Sequence, residues 1–128
     1  MKNKAFISFE LTVEPNPVSG QGNVNLAMTL VNTGKVAVTY QRSSGQRFEI
    51  TAETVGKQVW KWSNGRFFTA VLESFTLKPG ESKRFTANWD LTGDSLERVA
   101  PGKYHLRAWL KSVDENSPES LSVILDVK

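Results

Sequence analysis

Along nearly the whole chain apolar side chains return at every second position, a period that suits a pleated strand with one face in a core. A helix would need them at every third or fourth position. Between Ala5 and Glu14, Ile7, Phe9, Leu11 and Val13 alternate with Ser8, Glu10, Thr12 and Glu14. The rhythm runs on through Val24, Leu26, Met28 and Leu30, and after the Asn32-Thr33-Gly34 turn it resumes at Val36, Val38 and Tyr40. Phe48 and Ile50 continue it, with Arg47, Glu49 and Thr51 expected on the opposite, outward face. Phe75 and Leu77 follow, then Phe85, Ala87 and Trp89. Tyr104, Leu106, Ala108 and Leu110 oppose Lys103, His105, Arg107, Trp109 and Lys111, and Leu121, Val123, Leu125 and Val127 close the series.

Turn chemistry divides these runs. Ser43-Ser44-Gly45, Gly56-Lys57 and Lys78-Pro79-Gly80-Glu81 are breaks of the kind Gly, Pro and Ser make. Asn64-Gly65 is the strongest short hairpin signal, because a type I′ turn needs positive φ at both central residues. A two-residue loop there predicts Trp62 opposite Phe67 and Trp60 opposite Thr69, with a second limb through Phe68, Ala70 and Leu72. Residues 90–100 read as a longer polar connection, and Asp114 to Glu119 as a loop. The sum is about eight or nine short strands and no convincing helix. At 128 residues the chain suits one shared core. We therefore expect residues 1–128 to form a single all-β domain, an immunoglobulin-like antiparallel β-sandwich; a closed barrel of similar strand count fits the same alternation.

Composition narrows the function. With no cysteine, disulfides, thiolate metal ligands and a cysteine nucleophile are absent, which suits a reducing cytoplasm. Ser8, Glu10 and Thr12 interrupt the apolar start as no signal-peptide core or membrane span tolerates, so no membrane association is expected. The net charge of +3 comes from 16 basic and 13 acidic residues without a basic block, so nucleic acid is not an expected partner. His105 is the sole histidine and sits mid-strand between Lys103 and Arg107, where the plain reading is a solvent-facing residue rather than part of a catalytic triad. The carboxylates are scattered apart from Asp114-Glu115 and Asp90 with Asp94. Gly20-Gln21-Gly22 lacks the third glycine, the lysine and the helix of a phosphate cradle. Neither catalysis nor a cofactor or metal is expected.

Two segments stand out as binding candidates. The stretch from Gln58 to Thr69 concentrates four aromatics and two cations. Its tryptophans either pack into the core or anchor a partner, and both hold together if buried rings stiffen an exposed tip. The first candidate contact set is therefore Trp62, Ser63, Asn64, Gly65, Arg66 and Phe67. The second is the loop Ser43, Ser44, Gly45, Gln46 and Arg47, which reads otherwise as an ordinary strand connection. Lys103, His105, Arg107 and Lys111 beside Trp109 make a basic outer stripe whose plainer meaning is a solvated strand face.

Three stretches in order, Ser44-Gly45-Gln46-Arg47-Phe48-Glu49, then Val59-Trp60-Lys61-Trp62-Ser63 with Phe67-Phe68-Thr69-Ala70, then Leu77-Lys78-Pro79-Gly80-Glu81 reaching Trp89-Asp90, resemble the intracellular proteinase inhibitor (BsuPI-like) family. Pro101-Gly102-Lys103-Tyr104 looks like that family's closing turn and strand. The resemblance implies an immunoglobulin-like sandwich, a cytoplasmic location and inhibition of an intracellular subtilisin-like serine protease; it carries no reactive-site residue across, and the chain is separately expected to act as a monomer. Such an inhibitor must offer a stiff extended segment to the substrate cleft. The rival expectation is a non-inhibitory binding or structural module that recognises carbohydrate or an envelope protein through exposed tryptophans.

Overall fold

The two-residue alternation is realised as nine strands in the computed structural model, which describes residues 6–112 and 119–128. They are β1 (Ile7–Glu14), β2 (Val24–Asn32), β3 (Val38–Arg42), β4 (Phe48–Thr54), β5 (Lys57–Lys61), β6 (Glu73–Leu77), β7 (Ser82–Trp89), β8 (Gly102–Leu110) and β9 (Leu121–Val127). The expected loop at residues 114–118 lies outside the described residues.

Every pairing between these strands is antiparallel, in one sheet of order β1-β2-β7, a second of order β5-β4-β8-β9, and a two-stranded ribbon β3-β6. These orders correspond to the A-B-E and C′-C-F-G sheets of an immunoglobulin-type sandwich. The inward sets read from the alternation, including Leu26, Met28 and Leu30 of β2 and Tyr104, Leu106, Ala108 and Leu110 of β8, are buried in one core. Aromatic rings join the two sheets across it: Phe48 meets Phe85 with ring centroids 5.9 Å apart, and Trp89 meets Tyr104 edge-on at 6.1 Å. The Tyr104 hydroxyl donates to the Ala100 carbonyl at 2.5 Å, four residues upstream and near the start of its strand, as in the tyrosine corner of immunoglobulin-like domains. Burial pushes its phenol pKa up.

Buried polar groups pin the ribbon to the first sheet. Asn32, 1% exposed, donates from Nδ2 to the Val36 and Leu77 carbonyls at 2.8 and 2.9 Å and accepts from Gly34 N at 2.9 Å. Gly80, at φ 84°, closes the expected Lys78 to Glu81 turn and donates to the Asn32 carbonyl at 2.8 Å.

Both outer edges of the four-stranded sheet are covered. Along β9, Val18 N donates to Asp126 O and Lys128 N to Val18 O, while the Asn16 amide bonds Ile124 O and Asp126 N. Along β5, the 90–100 connection docks through Asp94 N to Val59 O at 2.8 Å, with Gly93 so close that a Cβ would stand 2.9 Å from that carbonyl.

Three expectations are corrected. The hairpin is not at Asn64-Gly65: β5 pairs with β4, placing Trp60 opposite Ala52, and residues 66–72 form no strand. The two positive φ angles of a type I′ turn fall instead at Val55 and Gly56, 50° and 76°, where a β-branched residue concealed the signal. Val36 is 75% exposed and lies outside β3. Glu49 and Thr51, expected on a wet face, are buried; β4 runs between β5 and β8, Trp109 of β8 stands opposite Glu49, and Gln46 and Ser63 N bond its carboxylate.

Candidate functional site

The two candidate loops leave neighbouring strand ends. Residues 43–47 run into the start of β4, and residues 62–67 continue from the end of β5, which lies antiparallel beside it. Trp62 N still donates to Ile50 O at 2.8 Å, and the chain then turns, with Asn64 N bonded to Lys61 O at 3.0 Å, Gly65 at φ 78° and Arg66 N bonded to Ser63 O at 3.1 Å. Beyond that turn, residues 66–72 proceed without turn, bend or ladder pairing and with every φ negative.

One buried carboxylate joins the loops. Glu49, 2% exposed, accepts at Oε1 from Ser63 N and Ile50 N, both at 3.1 Å, and at Oε2 from Gln46 Nε2 at 2.9 Å. Gln46 Nε2 also donates to Phe48 O at 2.8 Å, so its side chain is directed inward and buried. Gly45 N donates to Thr69 O at 2.8 Å, laying the 66–72 segment along the first loop. A charge this deep is tolerable because its oxygens are met by three donors.

Aromatic packing completes the rim. Trp62 lies 4.3 Å from Phe48 and 5.8 Å from Phe68 between ring centroids, and the Arg66 guanidinium sits 4.3 Å above its ring while Arg66 Nε donates to Trp62 O at 3.0 Å. Trp60 stacks on the buried Trp89. The partner predicted for Trp62, Phe67, is instead 99% exposed. Asn64, Gly65, Arg66, Ser43 and Arg47 are exposed, whereas Trp62, Ser63, Ser44 and Gly45 are half-buried. Asn64 Nδ2 donates to Asp94 Oδ2 at 2.7 Å, fastening the turn to the 90–100 connection.

Sequence reasoning read residues 43–47 as a strand connection and residues 62–67 as a hairpin tip, and it missed Glu49 and the unpaired 66–72 segment. Nothing in local alternation distinguishes Glu49 from a solvated strand residue. Thr69-Ala70 after two phenylalanines reads as a strand limb until its partner strand is known. The basic stripe is present on β8, where Lys103, His105 and Arg107 are exposed, and Lys103 approaches Asp126 at 3.9 Å. Among the described residues no three His, Cys, Asp or Glu side chains group as a metal site, and no helix is long and apolar enough to cross a membrane.

Solved structures share the fold at low identity. A CARDB domain from Pyrococcus furiosus in complex with di-metal ions is 18% identical with a TM-score of 0.51, over 99% of this chain and 95% of that one. The alkylpurine DNA glycosylase AlkC of Pseudomonas fluorescens, bound to DNA containing an abasic site analog, gives 14% and 0.55 over 98% of this chain but 31% of its own. The β-glucosidase EmGH1 of Erythrobacter marinus gives 12% and 0.54 over 97% and 16%. The chain thus spans less than a third of either enzyme, and at these identities the likeness is one of fold alone. None of the curated proteins matches the chain. The sandwich, the order of its motifs and a match to the family's profile over residues 10–115 agree, and the chain belongs to the family of intracellular proteinase inhibitors (BsuPI).

Proposed function

We propose that this chain, as a single domain and one copy, inhibits an intracellular subtilisin-like serine protease in the cytoplasm by presenting the rim formed by residues 43–47 and 62–67 to the substrate cleft. It acts by binding and performs no catalysis of its own. Family membership supplies the protease partner. The observation that supports this rim is the Glu49 carboxylate, which accepts from Ser63 N of one loop and Gln46 Nε2 of the other, so that two short loops are held as one body without a disulfide. A loop already ordered loses less entropy on binding, the property a tight inhibitor requires. The rival carbohydrate reading needs free tryptophan faces. Here Trp60 and Trp62 are committed to Trp89, Phe48 and Arg66. Titrating the purified chain against an intracellular subtilisin tests the proposal: hydrolysis of a peptide substrate is expected to fall to zero near stoichiometry, and undiminished hydrolysis at large excess would refute it.

A further inference from the structure

We infer that Phe67 is the side chain that enters the primary specificity pocket of the target, and hence that the target is a protease whose primary pocket is a deep apolar slot. This rests on the inhibitory reading above and names the partner's chemistry. Phe67 is 99% exposed, while its neighbour Phe68 turns back onto Trp62 at 5.8 Å between ring centroids. The alternation of an extended backbone therefore puts one phenylalanine into the rim and the other wholly into solvent.

The backbone beside it is held on both sides. Upstream, Arg66 is fixed to Trp62 by its Nε bond to the Trp62 carbonyl and by the guanidinium 4.3 Å above the indole. Downstream, the Thr69 carbonyl accepts from Gly45 N at 2.8 Å. Between these ties the peptide groups of Phe67 and Phe68 have no partner among the described residues. They are free to pair with an edge strand of a cleft, the main-chain mode by which extended segments are bound, with alternate side chains entering pockets. Arg66, the cation nearest the tip, is already committed to Trp62, and that leaves the apolar ring as the anchor. A rigid aromatic on a preordered segment is the residue type that dominates such interfaces.

Phe67→Ala and Phe67→Arg test this against two proteases, a subtilisin of apolar primary specificity and trypsin, which cleaves after basic residues. Because the ring is 99% exposed among the described residues, both variants are expected to keep the wild-type melting temperature and circular dichroism. Phe67→Ala is expected to weaken inhibition of the subtilisin about 30-fold or more. Phe67→Arg is expected to weaken it similarly and to gain inhibition of trypsin. If the wild type inhibits and both variants match it, the anchor assignment fails and the inhibitory reading stands. If the wild type inhibits neither protease, both fall together.

Discussion

The indole of Trp60 lies flat on that of Trp89, with ring centroids 4.9 Å apart and planes 14° from parallel. Trp60 belongs to β5, at an edge of the four-stranded sheet, and Trp89 ends β7 of the other sheet, so the stack fastens that edge across the sandwich. Truncating it removes a large area from the junction and opens the ring of Trp89 to water. Trp60→Ala is expected to cost about 3 kcal/mol, at the lower end for an aromatic deletion because Trp60 is only half-buried. A lower urea midpoint together with red-shifted tryptophan emission would register it.

Glu49 offers a sharper test of loop coupling. Glu49→Ala leaves Ser63 N, Ile50 N and Gln46 Nε2 without their acceptor, and the loss is expected to be about 2–4 kcal/mol. Glu49→Gln retains one acceptor oxygen and should lose less. Hydrogen exchange separates coupling from general destabilisation: in Glu49→Ala the Ser63 amide is expected to lose more protection than the amides of the β8–β9 pairing, which fall only by the global loss.

Val55 is 99% exposed at φ 50°, a left-handed conformation that β-branched residues adopt at a cost and asparagine adopts readily. Val55→Asn is therefore expected to stabilise the chain by about 0.5–1 kcal/mol, read as a raised urea midpoint with unchanged slope. A decrease would show that the turn is held by something other than its own backbone preference.

Tyr104 sets an alkaline limit. Burial raises its pKa in the folded chain above the unfolded value of about 10, so its neutral form is favoured by folding. That contribution is complete below the unfolded pKa and is lost as pH rises through the folded one. Stability is expected to decline above pH about 10. Tyr104→Phe should cost about 1 kcal/mol at neutral pH, through loss of the bond to Ala100 O, and should flatten that decline. Denaturation midpoints of both proteins across that range check it.

The alternation located most of the strands and their inward faces, because Leu26 or Leu106 must go inward whichever strand lies alongside, but it also implied a limb at 66–72 that forms no strand. It could not give pairing. Asn64-Gly65 has the composition of a type I′ turn, yet Trp62 is held by Ile50 and Phe48, and those contacts across β4 outweigh the local preference. Val55-Gly56 makes the turn with a residue no propensity rule would select. The loop at 43–47 was legible from its composition, whereas 62–67 read as a two-residue hairpin tip and is a turn leading into an unpaired segment. Their union was not legible, because it depends on Glu49, whose carboxylate is bonded by the Gln46 and Ser63 groups that close over it.

The segment around Val18 that lies along β9 has a consequence for how the molecule resists self-association. An unguarded strand offers a row of amides and carbonyls to any second chain, and such rows seed fibrils. Here Asn16 and Val18 occupy those groups from the opposite part of the sequence, across separations of 108 to 110 residues for the Asn16 bonds. Because the guard and the strand come from opposite parts of the sequence, the protection belongs to the assembled sandwich, and β9 taken without residues 16–18 would present that row to a second chain.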